Sequence, residues 1–190
     1  MPKPTKQLSD EDIARMVQSG KVNFFDILVK RYEAKMMRYG RKFLFNHNDV
    51  EDLIQGVFIK AYRNIQSFDA SKKFSAWIYR IAHNEFINLI KKKGKEPVSF
   101  FNIDILLPHH ASKESADKDI EKKELSKILD KCLDKIDQKY REPIILYYFE
   151  DLSYKEIADV LHIPIATVGI RLKRGREIMK PIYQKLNNSI

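Results

Sequence analysis

Amide and cationic side chains recur at helical spacing near the middle of the chain. Arg80, Asn84 and Asn88 stand four residues apart, and a run of lysines follows from Lys91. Side chains at this spacing project side by side from one face of a helix. Amides can hydrogen-bond base edges, cations can bind phosphate, and a neighbouring aromatic such as Trp77 can stack on an unpaired base. The pattern indicates nucleic-acid binding, although a solvated polar helix face has the same composition.

A second basic cluster lies in residues 151–179. Its first predicted helix carries Ile157, Ala158 and Leu161 on one face, and a short break at 162–164 precedes a second helix. The second helix directs its cations away from the apolar stripe: Arg171, Lys173, Arg174 and Arg176. Two short helices, a tight turn and a basic second helix are typical of a helix-turn-helix, and the Ser153–Glu156 spacing fits a capping box. The plainer alternative is a helical hairpin with a solvated basic face.

No catalytic motif accompanies these clusters. The sequence has no Gly-rich phosphate loop, HExxH motif, zinc-ligand spacing or nucleophile elbow. The single cysteine, Cys132, has no marked base partner, and His109–His110 lacks the thiols or acids of a metal site. Three acids could be magnesium ligands of a helical nuclease, but acids at a helix N-terminus explain them more simply: Asp49, Glu51 and Asp52. We therefore expect a non-enzyme without metal or cofactor.

The overall composition is typical of an intracellular protein that binds nucleic acid. The 190 residues carry a formal net charge of +9, which favours a polyanionic partner. No apolar run approaches the ~20 residues of a membrane span, so direct membrane insertion is not expected. The lone cysteine allows no intrachain disulfide, and the N-terminus lacks the apolar segment of a secretory signal. These features predict a cytoplasmic protein.

Hydrophobic periodicity predicts helices on both sides of an irregular segment. The N-terminal helices are expected between Ser9 and Gly20, from Asn23 to Phe45 with a possible kink at Gly40, from Asp49 to Ile65 with Asn48 as N-cap, and from Phe74 to Lys93. The C-terminal helices are expected from Asp119 to Asp134, from Tyr140 to Phe149 and across the helix-turn-helix, with fraying from Pro181 onwards. The prediction is an all-α protein of two small helical domains, 1–95 and 120–190, joined by a flexible linker at 96–119.

Three stretches taken together resemble the extracytoplasmic-function (ECF) group of bacterial sigma factors, in the sigma-70 family. They read DVEDLIQGVFIKAYRNIQSF, FSAWIYRIAHNEFINLIKKK and KYREPIILYYFEDLSYKEIADVLHIPIATVGIRLKRGRE. The resemblance covers nearly the whole chain. It implies an alternative sigma factor that binds core RNA polymerase and directs promoter-specific transcription initiation. Domain 1–95 would be sigma region 2, domain 120–190 would be sigma region 4, and the linker would thread along the polymerase cleft and RNA exit channel.

The resemblance also implies three contact surfaces. The surface for the −10 element and its melted strand would comprise Phe68, Lys73, Trp77, Arg80, Asn84, Asn88 and Lys91. The surface for the −35 element would comprise Thr167, Gly169, Ile170, Arg171, Lys173 and Arg174. The core polymerase contact would comprise Asp49, Glu51, Asp52, Gln55 and Phe58. Relatives commonly have polar residues at the positions of Gly169 and Ile170, so the cations of this helix, or DNA shape, must carry most of the recognition.

Two other functions fit the residues without the resemblance. A helix-turn-helix transcriptional regulator would bind duplex DNA without polymerase and use residues 1–95 for ligand sensing or dimerisation. A protein-only adaptor would show no salt-dependent DNA affinity, whereas phosphate contacts must produce one. The resemblance adds an anti-sigma factor, often membrane-bound in relatives, as a candidate partner, although no residue of the chain identifies one.

Overall fold

The computed structural model describes residues 8–42, 47–92 and 128–187, and every regular element within those ranges is helical. The helices are α1 (Asp10–Gln18), α2 (Phe25–Arg41), α3 (His47–Arg63), α4 (Phe74–Lys92), α5 (described over 128–134), α6 (Gln138–Tyr148), α7 (Tyr154–Leu161) and α8 (Ile165–Asn187). Short 3₁₀ helices occupy Val22–Phe24 and Ile65–Ser67. The predicted all-α class is confirmed, while the predicted linker at 96–119 and the start of α5 lie outside the described residues.

The first four helices form an N-terminal domain around an aromatic-rich core. Ser9 caps α1 by accepting a hydrogen bond from the Asp12 N–H at 3.1 Å, and Gly20 follows α1 with a positive φ of 93°. Each helix contributes an apolar stripe, and buried members of these stripes include Ile13, Leu28, Ile54 and Phe74. Because these apolar stripes face the core, the opposite faces of α3 and α4 are exposed to solvent.

Gly40 has a different role from the predicted kink. Helix α2 runs unbroken through it, from Phe25 to Arg41. A Cβ atom at Gly40 would lie 2.9 Å from Val50 Cγ1 and 3.0 Å from Phe86 Cζ, closer than ordinary carbon contacts. The glycine therefore lets α2 pack closely against α3 and α4. Helix α3 also begins two residues before the expected Asp49, at His47, so Asn48 is not its N-cap.

Helices α5 to α8 form a C-terminal domain whose core includes Leu133, Leu146, Val168 and Leu172. Asp137 caps α6, because its carboxylate accepts a hydrogen bond from the Lys139 N–H at 3.0 Å. This cap starts α6 at Gln138, two residues before the predicted Tyr140. Helix α8 continues through Pro181 to Asn187, where fraying was expected. The partly buried Ile182 packs against the core, which favours continuation of the helix.

The two domains are in direct contact. Cα atoms of α4 and α7 approach within 8 Å, and buried side chains of both domains join in one apolar cluster. The sequence pattern alone does not predict this contact.

Candidate nucleic-acid interface

Helices α7 and α8 form the predicted helix-turn-helix, and its first helix begins with the predicted capping box. The Ser153 hydroxyl accepts from the Glu156 N–H at 3.3 Å, and the Glu156 carboxylate accepts from the Ser153 N–H at 2.7 Å. Burial alone would raise the pKa of Glu156, but hydrogen bonds from Ser153 and the nearby Lys73 cation outweigh it and hold that pKa below its ordinary value. Glu156 therefore stays ionised and the cap stays formed at neutral pH.

The turn between these helices places His162 in the left-handed region, with φ of 53° and ψ of 45°. The next N–H, that of Ile163, donates to the Ala158 carbonyl at 3.1 Å and closes the end of α7. Glycine is the residue that adopts this conformation most easily, and histidine tolerates it at some cost in free energy. The turn sets the angle at which α8 leaves α7.

The outer side of α8 gathers the residues predicted for the −35 element. Val168 and Leu172 are buried beneath it, whereas Ile170 is 53% exposed. The cations Lys173 and Arg174 are exposed. The other predicted residues of this surface are half-buried: Thr167, Gly169 and Arg171. A cationic helix face with one exposed aliphatic side chain can bind phosphates and contact a thymine methyl group.

Helix α4 displays the predicted polar row on its outer face. Arg80, Asn84 and Asn88 are all exposed, as is Lys91 near its end. Trp77 is half-buried beside this row. An unpaired base could therefore meet an aromatic ring and two amides on one helix.

Phe68 is buried beside Trp77, and its predicted contact with DNA stays a prediction. It is 5% exposed, and its ring centroid lies 5.2 Å from that of Trp77 and 5.4 Å from that of Phe74. Because its ring is enclosed by these neighbours, Phe68 supports Trp77 from below. Lys73, also predicted to contact DNA, interacts with the C-terminal domain. Its Nζ lies 3.1 Å from the Asp151 carbonyl oxygen and 3.5 Å from the Glu156 carboxylate.

Helix α3 presents acidic and amide side chains on its outer face, including exposed Glu51, Asp52 and Gln55 and half-buried Asp49. Phe58 is 8% exposed and packs in the core, and its predicted contact with core polymerase stays a prediction. Ile59 was missed and is 52% exposed. Its position four residues after Gln55 is the signal that could have found it, since i and i+4 share a helix face.

Two family models match the two domains. Residues 28–96 match sigma-70 region 2, and residues 126–179 match sigma-70 region 4. Both family models belong to the sigma-70 family. Within the described ranges, no helix is long and apolar enough to cross a bilayer, and no group of three or more potential metal ligands occurs.

Relatives that match over most of their length identify the group within the sigma-70 family. The chain is 35% identical over 180 residues to the ECF RNA polymerase sigma factor SigW of Bacillus subtilis strain 168, covering 87% of this chain and 92% of the relative. It is 32% identical over 189 residues to the ECF RNA polymerase sigma-E factor of Escherichia coli K12, covering 96% of this chain and 98% of the relative. The chain belongs to the ECF group of RNA polymerase sigma factors.

Solved structures share the fold. CnrH, determined in complex with the cytosolic domain of CnrY, matches with a TM-score of 0.65 at 24% identity and covers 93% of this chain and 97% of that one. The sigma factor RpoE of Bartonella quintana, determined with the anti-sigma factor NepR, matches with a TM-score of 0.66 at 21% identity and covers 84% of this chain and 96% of that one.

Proposed function

We propose that this chain is an alternative sigma factor that binds core RNA polymerase and directs it to promoters with −10 and −35 elements. One observation carries the proposal: each domain presents a helix with nucleic-acid-compatible side chains outward, α4 with Arg80, Asn84 and Asn88, and α8 with Lys173 and Arg174. The chain would act by binding, without catalysing a reaction itself, and in the cytoplasm beside the polymerase. Its relatives named as ECF RNA polymerase sigma factors support this role.

The proposed −10 surface would capture a flipped base and the melted strand. Flipping a base costs a few kcal/mol of lost stacking and pairing. Stacking on an aromatic ring returns about 1–3 kcal/mol per base. Trp77, whose ring centroid lies 5.2 Å from that of the buried Phe68, would supply that ring. Asn84 and Asn88 would hydrogen-bond exposed base edges, while Arg80 and the lysines near the helix end would bind phosphates. The surface would therefore stabilise the open promoter at the expense of the duplex.

The proposed −35 surface would enter the major groove through the N-terminal half of α8. Helix-turn-helix proteins place this part of the second helix against base edges. Arg171, Lys173 and Arg174 would supply phosphate and guanine contacts, because arginine and lysine match the guanine acceptors in that groove. Gly169 provides no side chain, and Ile170 offers only an apolar contact.

The proposed core polymerase surface lies on the outer face of α3. Exposed carboxylates there would attract a basic surface and speed association, although exposed ion pairs add little affinity singly. The exposed side chain of Ile59 gives this face an apolar contact in line with Gln55 and Asp52, which precede it by four and seven residues. Protein interfaces commonly combine apolar and polar side chains in this way.

Promoter opening on two templates tests the proposed −10 surface. Asn84→Ala should reduce open-complex formation on a duplex promoter, and a template already melted at the −10 element should restore most of it, because no base has to be unpaired. Asn23→Ala is the matched control, since Asn23 is also exposed but lies far along the chain from α4. Unchanged opening by the Asn84 variant on the duplex template would remove this residue from the proposed surface.

A further inference from the structure

Helix α8 continues well beyond the residues proposed to contact the −35 element. It runs from Ile165 to Asn187, whereas that surface ends at Arg174. At 1.5 Å per residue, positions 175–187 add about 20 Å of helix. The C-terminal half of α8 therefore extends far outside the proposed −35 surface.

Three cations of α8 lie in line with Gly169 on the outer side of the helix. Lys173, Arg176 and Lys180 follow Gly169 by four, seven and eleven residues. At 3.6 residues per turn, these spacings place all four positions within an arc of about 60°. The three cations are exposed, and we call them the cationic row. Lys173 is shared with the proposed −35 surface, so the row continues that surface along the helix.

The charge of α8 is strongly one-sided. The helix carries six arginine and lysine residues and a single acid, Glu177. Glu177 lies about 60° around the helix from Lys180, at the side of the row. In the part of the chain that the structure describes, no ion pair joins Lys180 to an acid. A cationic stripe of this kind attracts a polyanion.

Packing holds the cationic row in a fixed direction. Gly175 lies close against α6, where a Cβ atom would meet a side-chain carbon at 2.6 Å. Met179 and Ile182 pack against the core further along α8. The Arg176 guanidinium donates to the Tyr148 hydroxyl at 3.3 Å. Because both halves of α8 are anchored, the row is presented to a partner without rearrangement of the helix, which lowers the entropic cost of binding.

The length of α8 exceeds what the major groove of DNA can hold. The groove is about 12 Å wide, and it winds around the duplex, so a straight helix leaves it within a few turns. Lys180 lies roughly 16 Å along the helix axis from Gly169 and on the same face. When Gly169 lies at the base edges, Lys180 therefore lies beyond the edge of the groove, beside the phosphates. The C-terminal end of the homeodomain recognition helix contacts the DNA backbone in a similar way.

Phosphate contacts would offset the sparse base-reading chemistry of this helix. Gly169 has no side chain, and Ile170 offers a base only an apolar contact. Contacts to phosphate carry no sequence information, but they set the affinity and the position of a protein on the duplex. A helix with few base-reading side chains gains most from such contacts.

We propose that the cationic row is a phosphate-binding surface that extends the DNA contact of α8 beyond the −35 element, with Lys180 as its outermost contact. The inference rests on the proposed function for the identity of the DNA. Its partner is the backbone of duplex DNA flanking the element. Arg176 and Lys180 supply affinity that is independent of base sequence, while the −35 surface supplies the sequence preference.

Binding of the full-length chain to duplex DNA across a salt series tests the contact. Lys180→Gln removes one exposed positive charge, so the slope of log K against log salt should become shallower by about 0.9. The ratio of parent to variant affinity should then shrink about 3.5-fold between about 50 and 200 mM salt. The change should be the same on a −35 duplex and on a scrambled duplex, since both have the same phosphates. Lys180→Arg keeps the charge and should bind like the parent.

Neutral phosphates locate the contact on the DNA. Methylphosphonate groups, which lack the negative charge, are placed one at a time on either side of the −35 element. At the contacted phosphate, the substitution should weaken parent binding about as much as Lys180→Gln does, and should not weaken the variant further. Lys21→Gln removes an exposed lysine of the N-terminal domain. This control should keep the salt slope and the methylphosphonate effect of the parent.

Three results would overturn the inference and leave the proposed function standing. Equal salt slopes in the parent and Lys180→Gln, with helix content intact, would show that Lys180 does not contact phosphate. Methylphosphonates that weaken the parent and Lys180→Gln equally would assign the phosphate contacts to other residues. A loss confined to the −35 duplex would indicate base recognition instead. A parent chain that binds no duplex at low salt would overturn both this inference and the proposed −35 surface.

Discussion

Gly175 lies where α8 crosses α6. Its replacement by alanine tests how closely these two helices are packed. A Cβ atom at Gly175 would lie 2.6 Å from Ile144 Cδ1 and 3.3 Å from Tyr140 Cβ. Carbon atoms prefer about 3.5–4.0 Å, so either Ile144 or α8 must move. Gly169 in the same helix differs, because the nearest atom to its Cβ would be Tyr154 Cε2 at 3.6 Å. The two glycines therefore form a matched pair.

Two opposing effects determine how much each glycine-to-alanine substitution changes the free energy of unfolding. Alanine favours a helix interior over glycine by about 1 kcal/mol, and this gain applies at both positions. Overpacking a filled core costs about 1–3 kcal/mol, and Ile144 is only 3% exposed. We expect Gly169→Ala to raise the free energy of unfolding by about 1 kcal/mol. Gly175→Ala should lower it by about 0–2 kcal/mol.

Urea unfolding followed by far-UV circular dichroism measures this difference. Ile144→Val supplies a specific test, because valine lacks the Cδ1 atom that the new Cβ would meet. Gly175→Ala should be less damaging in the Ile144→Val background than in the parent, giving a favourable coupling energy between the two sites. Equal effects in both backgrounds would refute the reasoning. So would a stabilisation by Gly175→Ala as large as that by Gly169→Ala.

Three further predictions concern the cap and the two partner surfaces. Ser153→Ala removes the hydroxyl that accepts from the Glu156 N–H, and should lower the free energy of unfolding by about 1 kcal/mol in urea titrations. Arg174→Ala should weaken binding to −35 duplex DNA, and fluorescence anisotropy across a salt series should show a slope of log K against log salt reduced by about 1. Asp52→Lys should weaken binding to core polymerase by about tenfold in a competition assay, because it reverses an exposed charge on α3.

Each of these predictions has a control and a contradicting outcome. Ser153→Thr keeps a hydroxyl and should retain most of the stability; a loss equal to that of alanine would count against the cap. Arg63→Ala removes an exposed arginine outside α8, and an identical salt response in both arginine variants would reject the assigned surface. Glu33→Lys reverses an exposed charge on α2. Unaltered polymerase affinity in Asp52→Lys would remove that residue from the proposed polymerase surface.

Local chemistry made much of the fold predictable. The capping box of α7 depends on two residues three positions apart, and the polar row of α4 depends on a four-residue repeat. The residues of such a pattern lie within one or two helical turns of each other, so the pattern can be recognised in the sequence without knowledge of the tertiary structure.

Long-range packing explains what the sequence did not predict. The resemblance assigned Phe58 and Phe68 to partner surfaces, yet both side chains are buried. Gly40 was predicted to allow a kink in α2, whereas it permits close approach of neighbouring helices, as Gly175 does in α8. Glu142 contacts His83, 59 positions earlier in the chain, and Glu150 contacts Arg38, 112 positions earlier. No local pattern signals contacts of that kind.

Reconstituted transcription decides whether the chain has sigma activity. The assay combines the purified chain, bacterial core RNA polymerase lacking its own sigma factor, and a library of genomic promoter fragments. We expect specific run-off transcripts that require the chain and that share −10 and −35 elements upstream of their start sites. Binding of duplex DNA without any chain-dependent transcript would contradict it and favour a transcriptional regulator; absence of both activities would favour a protein-only adaptor.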